Sequence, residues 1–130
     1  MLKKKNSFKL GARQKHQSER QLKVSQLIHI ALVDCLRKDK LLDSRLAGFP
    51  ITITKVNISA DFSIANCYFL PFNTKYESEE LLEALELSKY AIRKFVTKKV
   101  NLKYSPEIRF YYDINFAQGA LIEELFRRIR

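Results

Sequence analysis

The sequence predicts an α+β fold, a two-layer sandwich in which helices cover one face of a three-stranded sheet. Apolar residues recur at helical spacing from Ser18 to Lys38 and again from Glu77 to about Val100. Three other segments have strand length and strand composition: Ile51–Ile58, Ile64–Leu70 and Glu107–Tyr112. The order is therefore α-β-β-α-α-β, followed by a short C-terminal helix, and the strands must bury one face against the helices.

Residues 1–17 are basic and polar without periodicity and are expected to form a disordered tail. Residues 18–130 form the folded domain. Ser18-Glu19-Arg20-Gln21 offers a helix cap with a glutamine three residues on. Val24, Ile28, Ala31 and Cys35, with Leu22, Leu32 and Leu36, then form an inward stripe ending around Lys38. His29 lies off that stripe and reads as a solvated surface histidine.

Asp43 to Pro50 is a loop by its turn residues. In the strand that follows, Ile51 and Ile53 fall on odd positions but Val56 and Ile58 on even ones. A slip of one residue would turn half the strand outward, so a β-bulge is expected near Thr54-Lys55. Ser59–Ser63 turns the chain into the second strand, which Pro71 and Asn73 end. The helix from Glu77 buries Leu81, Leu82, Ala84 and Leu85, and its first turns carry glutamates that suit the helix dipole. A helix unbroken to Val100 would be unusually long, so a kink is expected near Leu87-Ser88-Lys89-Tyr90. In the third strand Ile108, Phe110 and Tyr112 share a face and read as core. Asn115 is placed to cap the last helix, whose stripe is Leu121, Ile122, Leu125, Phe126 and Ile129.

The formal charge of +10 is unevenly distributed. Lysines and arginines crowd the first fifteen residues, the stretch Lys89–Lys103 and the last four residues, whereas the acids gather at Glu77, Glu79, Glu80, Glu83 and Glu86. Such polarity makes one side attractive to phosphate and another repellent. No apolar run approaches the length of a membrane span, and none follows the basic N-terminus as a secretory signal requires. Cys35 and Cys67 have no partners at metal-ligand spacing and read as reduced core residues of a cytosolic protein. No glycine-rich loop, nucleophile–base pair or metal cluster is visible, so neither an enzyme, a cofactor nor a small-molecule substrate is expected.

These pieces resemble the ribosome-binding factor A family of bacterial small-subunit assembly factors. The resemblance runs from about Arg20 to Phe116. It is carried by Arg20-x-x-Lys23-Val24, Asp43-x-Arg45-Leu46, Val56-x-x-Ser59-x-Asp61 with Ala65 and Tyr68, Ala84-Leu85, Ile92-Arg93, Leu102, and Pro106-Glu107-x-x-Phe110-x-x-Asp113. It implies a KH-like fold of the second topology, in which a helix-kink-helix carries the RNA-binding edge. Members usually have Ala-x-Gly at the kink, where this chain has Ser88-Lys89-Tyr90, so a clamp through main-chain groups is in question. The resemblance further implies a cytoplasmic, monomeric, non-catalytic factor. Its partners would be the immature small (30S) ribosomal subunit and 16S rRNA during late processing, with a link to growth in the cold. The alternative is a generic KH-like RNA-binding protein or a resident ribosomal protein.

The expected nucleic-acid contacts are Lys89, Arg93, Lys94, Lys98, Lys99 and Lys103, a run without an intervening acid. The resemblance adds Arg20, Lys23 and Arg45. Tyr90 could brace the kink or stack on a base, and the former is favoured. Salt dependence tests the basic face: log affinity for RNA should fall with log salt at a slope of about −0.7 per phosphate contact. An affinity indifferent to salt, or unchanged when Lys89, Arg93, Lys98 and Lys99 all become Glu, overturns it.

Overall fold

The structure is a computed structural model and describes residues 17–38 and 42–129. Apart from Gln17, the expected tail lies outside the described residues. Helix α1 spans Glu19–Lys38. Its cap forms as expected: the Gln21 N–H donates to Ser18 Oγ at 3.1 Å, and the Ser18 N–H donates to Gln21 Oε1 at 3.0 Å. Ile28, Ala31, Leu32, Cys35 and Leu36 are buried along one face, with Val24 packed against them. Leu22, expected in that stripe, is instead about half exposed at 48%. His29 also departs from expectation, because its Nε2 donates to the Ile53 carbonyl at 3.1 Å. That bond ties α1 to the sheet, so the ring is structural rather than solvated.

Strands β1 (Ile51–Ile58) and β2 (Ile64–Pro71) form an antiparallel hairpin, and β3 (Glu107–Tyr112) pairs parallel to β2. The sheet order is β1-β2-β3, with β2 central. A parallel pair needs a long crossover. It is supplied by α2 (Ser78–Leu87) and α3 (Lys89–Val100). The expected bulge is present: the register slips between Ile53 and Lys55. Ile51, Ile53, Val56 and Ile58 can therefore all face inward, joining Ala65, Cys67, Phe69, Ile108 and Phe110 under the helices. Tyr112 sits at the end of this face, 37% exposed, with its ring edge-on to Phe69. It borders the core rather than filling it.

The break between α2 and α3 falls at Ser88, with φ −95° and ψ 2°. This conformation needs no glycine. The Ser88 hydroxyl accepts the Asp43 N–H at 2.8 Å, anchoring the break to the loop before β1. Asn101 ends α3 in the left-handed conformation that asparagine tolerates, with φ 62°.

Helix α4 spans Ile114–Ile129 and corrects three expectations. At 16 residues it is not short. Its cap is Asp113, whose Oδ1 accepts the Phe116 N–H at 3.1 Å, and not Asn115. Its apolar stripe is not core, since Leu121, Ile122, Leu125, Phe126 and Ile129 are each about half exposed or more. The inner face of the sheet is already covered by α1, α2 and α3, and α4 has no part of it left to occupy.

The contact between α1 and β1 includes a buried polar bond, from the Ile58 N–H to Ser25 Oγ at 3.0 Å. Ser25→Ala would leave that N–H buried and unpaired, and should lower unfolding free energy by about 1–3 kcal/mol in denaturant titration. Replacing the exposed neighbour Gln26 by Ala should change it by less than about 0.5 kcal/mol.

Candidate nucleic-acid interface

Helical periodicity decides which basic residues of α3 act together. Tyr90, Arg93, Lys94, Thr97 and Lys98 recur at spacings of three and four and so share one face. With Ser105 they line a shallow open groove of ≈ 460 Å³. Lys94 and Lys98 are exposed and make no ion pair with any described residue. Tyr90 is 79% exposed, so it does not brace the kink. A protruding aromatic ring between lysines is the pattern on which bases stack while cations hold the backbone.

Arg93 is fixed before any ligand arrives. Its Nε donates to Ser105 Oγ and its Nη2 to the Ser105 carbonyl, both at 2.8 Å. Ser105 Oγ also shares a hydrogen bond of 2.7 Å with Thr97 Oγ1. These bonds dock the loop after α3 against the helix and hold one edge of the guanidinium, leaving its remaining donors for an anion. In the same loop Lys103 Nζ lies 5.4 Å from the centre of the exposed Tyr104 ring. Arg20, on the first turn of α1, stacks over Phe62 with its Cζ 4.9 Å from the ring centre. Lys23 is exposed one turn along α1.

The other expected contacts are paired within the protein. Lys89 reaches Glu86 at 2.8 Å, and Lys99 reaches Asp34 at 3.5 Å. Arg45 donates to both carboxylate oxygens of Asp43, at 3.0 and 3.1 Å, and to Glu83 at 2.8 Å. The Asp43 carboxyl is held below its ordinary pKa of 3.8, first by the side-chain bond from Arg45 and then by the Arg45 N–H. Donating to Asp43, and then to Glu83, raises the pKa of the guanidinium correspondingly. Arg45 thus joins the loop before β1 to α2. Glu79, Glu80, Glu83 and Glu86 are exposed on α2, across the break from the basic face.

Phe62, Tyr104 and Ser105 were not singled out by sequence reasoning. Tyr104 had a visible signal, an aromatic ring beside a lysine in a loop closing a basic run. Phe62 and Ser105 had none, because their neighbours Arg20 and Arg93 are distant in sequence.

The profile of the family described as ribosome-binding factor A matches residues 20–126. The chain belongs to the ribosome-binding factor A family. A Rickettsia felis member is 53% identical over 115 residues, covering 88% of this chain and 96% of the relative. A Rickettsia prowazekii member is 50% identical over 113 residues, covering 87% and 88%. Among solved structures, the solution structure of a Thermotoga maritima protein described as a putative ribosome binding factor A superposes with a TM-score of 0.61 at 31% identity, covering 74% of this chain and 89% of that one. The Thermus thermophilus crystal structure gives 0.60 at 24% identity, covering 71% and 94%, and shows the shared KH-like fold. In this member of the family the Ser88 hydroxyl ties the kink to the loop before β1.

The carboxylate pairs give a pH test. A carboxyl whose folded pKa is depressed contributes stability above its unfolded pKa, and the contribution fades as pH falls through the folded value. Asp43, Asp34 and Glu107 are all depressed, chiefly by side-chain hydrogen bonds from Arg45, Lys38 and Arg109 respectively. The melting temperature should therefore drop on acidification below about pH 4. Asp43→Asn should start lower at neutral pH and lose less over that range, as followed by circular dichroism.

Proposed function

We propose that this protein is a non-catalytic maturation factor that binds the immature small ribosomal subunit. It would contact 16S rRNA through the exposed face of α3, aid late rRNA processing in the cytoplasm as a monomer, and support growth in the cold. The observation that carries this reading is the face of Tyr90, Arg93, Lys94 and Lys98, a cationic surface with a protruding ring and one pre-positioned guanidinium. Lys and Arg at such a face supply sequence-independent phosphate contacts, as expected of a factor that docks on folded rRNA.

Family membership supports the ribosomal partner, since the family is described as ribosome-binding factor A. A Thermus thermophilus homology model with the same fold, 19% identical with a TM-score of 0.50, was fitted into a cryo-EM map of a 30S complex with ribosome-binding factor A. No helix among the described residues is long and apolar enough to cross a membrane.

Sucrose-gradient sedimentation of growing cells tests the proposal. The protein should enrich on free small subunits and be absent from translating ribosomes, and Lys94→Glu with Lys98→Glu should release it. Residence in translating ribosomes would make it a ribosomal protein. Absence from all ribosomal fractions would remove the proposed partner.

A further inference from the structure

A second groove lies beside the α3 face, where three separate parts of the chain meet. Arg20 and Val24 of α1, Asp61, Phe62 and Ser63 of the β1–β2 turn, and Leu102 to Ser105 after α3 enclose ≈ 570 Å³, with Arg93 and Glu107 at its rim. That volume lies within the roughly 300–1,000 Å³ of small-ligand sites. Ser88 is not among its lining residues, so this is a different place from the kink.

Its walls are built to stay in position. Phe62 adopts φ 63°, a left-handed conformation rare for a bulky residue and costly unless its surroundings impose it. Here the turn imposes it: the Ser59 and Ser63 hydroxyls donate to Asp61 Oδ1 at 2.8 and 2.6 Å, and the Ile64 N–H donates to Ser59 Oγ at 3.0 Å. The strained residue presents its ring to the groove with the Arg20 guanidinium stacked over it. Tyr104, 75% exposed, supplies a second ring, with Lys103 beside it. The two acids at the groove are engaged by neighbours, Asp61 by Ser59 and Ser63 and Glu107 by Arg109 at 2.8 Å. Arg20 and Lys103 make no ion pair with a described residue, and Arg93 is bonded only along one edge.

We infer that this groove holds an unpaired RNA nucleotide, its base stacking against Tyr104 and the Arg20–Phe62 pair and its flanking phosphates meeting Arg93 and Lys103. A paired base keeps its faces inside the duplex, so such a site distinguishes single strands from helices. The lysines of the α3 face, Lys94 and Lys98, contact phosphates and would accept either. The inference rests on the RNA-binding reading above and adds to it a preference for unpaired RNA at a defined place.

Fluorescence anisotropy of the full chain with a labelled single-stranded U10 oligonucleotide and a ten-base-pair RNA duplex tests it. The wild type should bind the single strand more tightly than the duplex. Tyr104→Ala and Phe62→Asn should each weaken single-strand binding by about 5- to 100-fold while changing duplex binding by less than about twofold. Asn tolerates the left-handed backbone, and the charge control Lys75→Gln, after β2, should leave both affinities unchanged. If Phe62→Asn lowers the melting temperature enough to unfold the chain, the exposed Tyr104 decides the matter alone. Single-strand affinity unchanged by Tyr104→Ala, or a duplex affinity that falls equally, overturns the groove. If the protein sediments with small subunits while Tyr104→Ala binds U10 like wild type, the groove falls and the ribosomal reading stands. If it does not sediment but the variants discriminate as expected, the groove stands and the ribosomal partner falls.

Discussion

One extra residue in β1 organises much of this protein. Because side chains alternate along a strand, Ile51 and Ile53 cannot face the core together with Val56 and Ile58 unless the register slips between them. The bulge at Thr54 makes that slip and leaves two polar groups beside it usable elsewhere. The Ile53 carbonyl takes the His29 ring of α1, and the Thr54 hydroxyl donates to Asp113, the cap of α4. The irregularity that completes the hydrophobic face is thus also where the first and last helices are attached. Further along β1, Ser25 and Gln21 bind the main chain of Ile58, so α1 is held to the strand at both of its halves.

The basic surface depends on a different set of polar contacts, all of them between segments. Ser88 ends α2 and starts α3, and its buried hydroxyl binds the main chain of the loop that Arg45 cross-links to Glu83. That fixes the direction of α3 and hence which of its faces is solvated. Ser105 then folds the loop after α3 back onto Arg93 and Thr97, bringing Lys103 and Tyr104 beside the helix. Cations on one rigid helix and one docked loop lose little freedom on meeting phosphate, which favours binding without a large ordering cost. The acids of α2 lie across the break, so a polyanion meets attraction on one side and repulsion on the other.

Not every apolar pattern ends in the core. The stripe of α4 has the same periodicity as that of α1, yet none of its residues is buried among those described. Amphipathic spacing reports that a face can be buried; which face finds a partner depends on how much of the sheet is already covered.

Local chemistry was legible from residues close together in the chain. The Ser18 cap, the strand boundaries, the bulge and the position of the kink follow from short-range spacing, because alternation, capping and turn formation involve neighbours within a few residues. The basic run from Lys89 to Lys103 was legible for the same reason. Which of those cations remain available was decided by tertiary structure, since Asp34, the acid that engages Lys99, sits on α1. So were the roles of His29, Phe62 and Ser105, whose partners lie on other segments. The sequence by itself determined the elements and the sign of the surface; only the fold decided which charges are satisfied within the protein and which face solvent, because pairing and burial depend on distances between segments that no local pattern encodes.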